Sequence, residues 1–239
     1  VQGYTRRQLK EDKFAQTAQG AAEWTATHQR TVIGSVVFVV VAALATVGIV
    51  TWYSHYTQQA NIALSAAMRT FNKPLRPANA PATDTNAGFG SVAERGKAAE
   101  KEFQAVADKF PYSKPGKIAR YLQGVAAMEA GDNASAEQQL KKAAGFGDKD
   151  VASLAQVALA NLYRSTNRQS DAVRVLKELA DHPTDTVSKA QAQIELAGIY
   201  ETTDPQQATL LYQQIQKEAP NSAAAQMAAS KLATNGGQK

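Results

Sequence analysis

The chain has 239 residues, no cysteine and a net charge of +5. With about 50 residues taken by a tail and an apolar run, the remainder suffices for one modest domain or a short repeat array. The absence of cysteine excludes disulfides, thiolate chemistry and Cys-based zinc sites. The charge does not mark a nucleic-acid-binding face, because residues 92–239 hold 18 Lys plus Arg against 17 Asp plus Glu. The excess lies on either side of the apolar run, where it suits anionic head groups.

In residues 1–30, Thr5-Arg6-Arg7-Gln8 forms a capping box, so a helix is expected to start there. Phe14, Ala18, Ala21, Ala22 and Thr25 recur at helical steps, and Trp24 comes near the end of this segment. The segment reads as an interfacial or partner-docking helix, or else as a cytoplasmic tail with little order.

Val32 to Tyr53 then supplies 22 residues without a charge. A helix of that length reaches about 33 Å, enough for a bilayer core of about 30 Å. A buried core helix is a poorer reading, because so long an apolar run exceeds what a domain of this size hides. A cleaved signal peptide ending at Ala43-Leu44-Ala45 is the stronger rival. Against it, the preceding 30 residues are long and mixed in charge, and the run continues eight residues past Ala45. Within the run, Ala42, Ala45 and Thr46 form a small-residue patch suited to packing against another membrane helix. Lys10, Lys13 and Arg30 precede the run, whereas Arg69 and Lys73 follow only at a distance, which favours the N-terminus inside.

Residues 31–71 are read as this anchor and its helical extension, through Ile62, Leu64, Ala67, Met68 and Phe71. Residues 72–91, with three Pro and two Gly, are a linker or loop. From Val92 a repeat domain, 92–239, is expected. Its signal is a small residue followed four later by a large one: Ala99/Phe103, Ala136/Leu140, Ala172/Leu176 and Ala208/Tyr212, the large members 37, 36 and 36 residues apart. On a helix the two share a face, the alanine admitting a neighbouring helix and the large side chain filling the groove. Pro111, Pro183 and Pro220 close three of these helices. Leu159-Ala160-Asn161-Leu162-Tyr163 and Leu196-Ala197-Gly198-Ile199-Tyr200 echo one another in the preceding helices, with Gln123-Gly124 in the corresponding place.

An enzyme needs a constellation of reactive groups, and none is present. His28, His55 and His182 lack metal-ligand spacing, Gly145-Phe146-Gly147 reads as an interhelical turn, and Glu100/Glu102 and Asp148/Asp150 fall on solvent faces or helix starts. No cofactor is expected.

The repeat resembles the tetratricopeptide repeat (TPR), whose pattern is Leu-Gly-x-x-Tyr, a small Ala, a large residue four later and a terminal Pro. Three pairs match, at about 116–147, 152–183 and 188–220, with departures at Ala127 and in the shorter interval from Tyr200 to Ala208. The helix at 92–110 looks like the second half of a further pair whose first half is the helix before the loop. Residues 222–233 would cap the array. The fold class is therefore all-α: one N-terminal transmembrane helix, then a short TPR-like solenoid.

Such arrays bind peptides or helices along the face of their first helices. The resemblance carries the groove positions onto Ile118, Tyr121, Val125, Met128 and Glu129, then Leu154, Val157, Asn161, Arg164 and Ser165, then Gln191, Ile194, Gly198, Glu201 and Thr202. Each has the alternative of packing inside its own repeat. The TPR clamp for C-terminal carboxylates is not expected, since Val157 stands where that clamp places Lys beside Asn161.

The order of parts is similar to the YfgM-like family of bacterial inner-membrane TPR proteins, ancillary to the Sec translocon. Phe110-Pro111-Tyr112-Ser113 and Ala219-Pro220-Asn221-Ser222 also resemble repeats of envelope TPR proteins, which are lipidated or secreted. The resemblance implies a single-pass inner-membrane protein with its N-terminus cytoplasmic and its repeats periplasmic. It would be an adaptor linking the translocon to periplasmic chaperones or clients. The competing expectation is a structural accessory subunit of another membrane complex. The expected partners are proteins, and lipids through the anchor, rather than nucleic acid.

Overall fold

The computed structural model describes Trp24, residues 28–77 and residues 88–236. The capping box at Thr5 to Gln8, the helix expected through Phe14 and Ala18, and the middle of the 72–91 loop lie outside the described residues. Among the described residues there are nine α-helices and one isolated bridge, between Leu75 and Phe89. The chain divides into two compact units, Val1–His55 and Tyr56–Lys239.

In the first unit the described structure is the greater part of helix α1, Gln29–Phe71. Its apolar side chains are exposed nearly all round, Phe38 at 73%. The most apolar 18-residue window has a mean hydropathy of 2.7, and none of that window is buried. This is the length and composition of a single membrane-crossing helix. The few hydroxyls in the run turn inward on their own helix: Thr46 Oγ1 donates to Ala42 O at 2.8 Å and Thr51 Oγ1 to Val47 O at 2.9 Å. Their polar groups are thereby satisfied without water.

The second unit begins with the last turns of α1 and continues through α2 (Val92–Lys109), α3 (Lys114–Ala130), α4 (Asn133–Ala144) and α5 (Lys149–Ser165). It ends with α6 (Gln169–Asp181), α7 (Lys189–Thr203), α8 (Pro205–Glu218) and α9 (Ala223–Gly236). Short polar side chains start most of them. Ser91, Ser113, Asp132, Asp148, Ser188 and Asp204 each accept a hydrogen bond from the backbone N–H three residues on. Pro111, Pro183 and Pro220 each follow two residues after the end of a helix.

Helices pack in chain order, α2 on α3 and so on to α9, with α3 also touching α5 and α7 touching α9. The result is four antiparallel pairs and a final single helix, stacked like a TPR solenoid. All four small/large couples are buried: Ala99/Phe103, Ala136/Leu140, Ala172/Leu176 and Ala208/Tyr212 lie between 0% and 1% exposed. Each large member contributes roughly 2–3 kcal/mol of burial.

The first pair joins residues 56–71 to α2. Ala60 and Ala67 share one cluster with Ala99, Phe103 and Phe110, Phe71 meets Phe103 edge-on at 5.8 Å, and Tyr56 meets Phe110 at 5.2 Å. The helix before the loop is thus the partner of the helix after it. The ends of the loop are tied together: Arg76 N donates to Phe89 O at 2.7 Å and Phe89 N to Pro74 O at 3.2 Å. Gly88 takes φ +110°, and a Cβ there would stand 2.2 Å from Pro74 O.

Close approach fixes one glycine between α2 and α3: a Cβ on Gly96 would lie 2.6 Å from Ala130 N and 2.7 Å from Ala126 O. Polar ties then link successive pairs. Glu137 on α4 accepts from Lys141 at 2.7 Å, from Arg168 at 2.7 Å and from the Tyr163 hydroxyl at 3.2 Å. The Arg168 guanidinium sits 4.2 Å from the Tyr163 ring centre. Hydrogen bonds from Lys141 and then Arg168 hold the Glu137 carboxyl down at about 2, against burial that would raise it.

Three expectations follow from this packing. Gly96→Ala should lower the unfolding free energy by about 1–3 kcal/mol, because backbone must move. Gly198→Ala, inside α7 with nothing within 4 Å of the added Cβ, should raise it by about 0.5–1 kcal/mol; urea unfolding of the detergent-solubilised chain measures both. The depressed Glu137 pKa contributes stability that is fully present above its ordinary value of 4.5 and is lost as pH falls towards 2. The stability advantage of the native chain over Glu137→Gln should therefore be largest near neutral pH and shrink across that acid window, as read by unfolding at a series of pH values.

Candidate functional site

The face of the first helices is built by helical spacing. Tyr121, Val125 and Met128 follow one another at four and three residues along α3, Val157, Asn161 and Arg164 along α5, and Ile194, Gly198 and Glu201 along α7. None of the fifteen positions expected on this face is fully buried. Ile118, Tyr121, Val125, Met128, Glu129, Leu154, Val157, Asn161, Ile194, Gly198 and Glu201 are half-buried, and Arg164, Ser165, Gln191 and Thr202 are exposed.

The apolar members have a double role. Tyr121, Val125, Met128, Leu154 and Val157 lean on the central core of the array, and Ile194 on the core around Tyr212. One side of each supports the repeat, while the remaining surface is exposed to solvent. Burial pushes the Tyr121 hydroxyl up from its ordinary value, so it is a neutral donor on this face. The face is therefore apolar over α3 and the first half of α5, through Tyr121, Val125, Met128, Leu154 and Val157, and polar over the end of α5, through Asn161, Arg164 and Ser165, and over α7, through Gln191 and Thr202 beside Ile194.

Two acidic positions are engaged inside the domain. Glu129 accepts from Arg95 Nη2 at 3.0 Å and from its Nε at 3.3 Å. Arg95 also reaches Lys73 O and covers the Phe71 ring at 5.8 Å. Glu201 accepts from the Tyr212 hydroxyl at 3.0 Å and pairs with Lys231 on α9 at 3.0 Å. Burial, first, and this hydrogen bond push the Tyr212 hydroxyl well above the ordinary tyrosine value. Both carboxylates thus work as clasps: Glu129 joins the first two pairs, and Glu201 holds the final helix.

Sequence reasoning did not find two open cavities elsewhere on the repeat unit. One, of about 350 Å³, lies between residues 59–66 and the end of α2, with Ile62 at 64% exposure on its rim. The other, of about 400 Å³, is lined by Arg120, Lys142 and Phe146. The only sequence signal for the first was Ile62, which breaks the buried face marked by Ala60 and Ala67. On the apolar helix, Ala42, Ala45 and Thr46 share a face at three- and four-residue steps, with the Thr46 hydroxyl turned back onto Ala42 O. Among the described residues no group of three or more His, Asp or Glu stands ready for a metal ion.

A model of a tetratricopeptide repeat-like domain matches residues 23–194, a stretch that includes the apolar helix and the repeats as far as α7. No curated protein and no solved structure matches the chain. Families of this repeat are generally non-catalytic scaffolds for protein–protein interaction. With its stacked helix pairs, its half-open first-helix face and a family match over most of its length, the chain belongs to the tetratricopeptide repeat-like domain family.

Proposed function

We propose that the chain is a membrane-anchored adaptor that holds protein partners on the extracytoplasmic side. In this reading residues 1–30 form a cytoplasmic tail, the run from Val32 to Tyr53 spans the inner membrane, and the repeats stand in the periplasm beside the Sec translocon. Their first-helix face, with Tyr121, Val125, Met128, Asn161 and Gln191, receives a chaperone or an emerging client. The observation that carries the proposal is the half-open apolar stripe on α3 and α5 in a scaffold family. Its likeness in order of parts to YfgM-like proteins supplies the translocon as the first partner to test, and the basic residues before the span support the orientation.

A second reading makes the chain a structural accessory subunit of another membrane complex, anchored laterally through Ala42, Ala45 and Thr46. The shared exposed face of these three residues favours it, since small side chains let membrane helices approach.

Photo-crosslinking amino acids at Val125 and Asn161 on the first-helix face, with Gln138 on α4 as control, separate the readings when combined with Ala42→Leu and Ala45→Leu. The adaptor reading expects translocon or chaperone adducts at Val125 and Asn161, few at Gln138, and the same adducts in the leucine variants. Retention in a different membrane complex that the leucine variants abolish, with no adducts on the first-helix face, would instead establish the accessory subunit.

A further inference from the structure

We propose that the first-helix face is selective for a segment that carries an acidic side chain beside a cluster of apolar residues, with Arg164 as the residue that reads the acid. This rests on the reading that the face binds a protein segment at all, and goes beyond it by naming the chemistry of that segment.

The argument is one of charge left over after folding. Of the acidic and basic positions on the face, Glu129 is consumed by Arg95, and Glu201 by Tyr212 and Lys231. Arg164 is exposed on the last turn of α5, and among the described residues its guanidinium has no partner. It stands on the same helical face as Val157 and Asn161, seven and three residues earlier. A carboxylate docking there would meet a planar cation with five donors, and the neighbouring Asn161 amide could add another. The apolar side chains that would flank such a carboxylate belong to Tyr121, Val125, Leu154 and Val157, all packed on the central core and half-open.

The α7 strip gives the segment a direction. Glu195 is half-buried there without a partner among the described residues, one turn before Ile199 and on the same side as Gln191 and Gly198. It disfavours a second acid and favours a basic or neutral residue. Gly198 leaves its Cβ position open, with nothing within 4 Å, so backbone can pass over α7 rather than stop at Arg164. The occupant is accordingly an internal acidic side chain within a continuing segment and not a chain end. Apolar residues lie over α3 and α5, the acid at Arg164 and a non-acidic stretch over α7.

A library of random twelve-residue segments, flanked on both sides by a fixed scaffold so that no chain end is offered, tests this against the full detergent-solubilised chain. The native protein should enrich segments with two or more large apolar residues and an Asp or Glu. The best of them, made as a peptide, should bind Arg164→Gln about tenfold more weakly. Arg164→Glu should enrich Lys or Arg in place of the acid; the residue is exposed, and thermal unfolding checks that the variant stays folded. Apolar segments without acidic preference, or an unchanged preference in Arg164→Glu, would overturn the selectivity while leaving the binding face standing. If the native protein enriches nothing that Tyr121→Ala weakens, the binding face itself is refuted and this inference with it. Enrichment only in a second library with free C-termini would show that a terminal carboxylate is the ligand and overturn the internal-acid form.

Discussion

Everything in the repeat unit depends on one steric arrangement: an alanine where two helices must come close, and a large side chain one turn later to fill the space beside it. Ala99/Phe103, Ala136/Leu140, Ala172/Leu176 and Ala208/Tyr212 set it four times, each in the second helix of a pair. The complementary surface on the first helices is also small, with Gly124, Ala160 and Ala197 at matching places. A Cβ on Gly124 would lie 2.6 Å from Leu140 Cγ, which shows how tightly the large residue is received. Because the same contact recurs at nearly constant spacing, successive pairs stack in one sense, and a chain of local contacts becomes a solenoid.

Apolar contact alone would let neighbouring pairs slide, and the polar clasps oppose this. Arg95 with Glu129, Arg168 with Glu137 and Lys231 with Glu201 each join different helices across an interface. Isolated exposed ion pairs of this kind add little to stability. Their larger effect here is on the first-helix face, where they neutralise Glu129 and Glu201 and so leave Arg164 and Glu195 to define its charge. In the proposed reading folding and recognition are coupled: the side chains offered to a partner are the ones the array does not use for itself.

Much of this was legible in the sequence because it is written in local spacing. The small/large couples and the terminal prolines act within one or two helical turns, and the repeat boundaries follow from them. The pairing of residues 56–71 with α2 was legible as well, although its loop spans 72–91 and the gaps within the later pairs are only one to three residues. The repeat spacing did not give the aromatic contacts that make it, Phe71 on Phe103 and Tyr56 on Phe110. The resemblance to the TPR carried Glu129 and Glu201 onto the first-helix face, but their cationic partners lie 34 and 30 residues away. No spacing rule links such positions, so the clasps emerged only from packing. The same holds for the cavity at Ile62, whose lining comes from two separate segments, residues 59–66 and 105–110.

The central claim is that the repeat array begins at Tyr56, with the end of the long apolar helix serving as the first half of the first pair. Hydrogen–deuterium exchange on the full chain, followed segment by segment, tests it most directly. The account predicts that amides of residues 56–71 are protected like those of 92–109, and that Phe103→Ala exposes both segments together. Fast exchange in 56–71 while 92–109 stays protected, or loss of protection in 92–109 alone on that substitution, would contradict it.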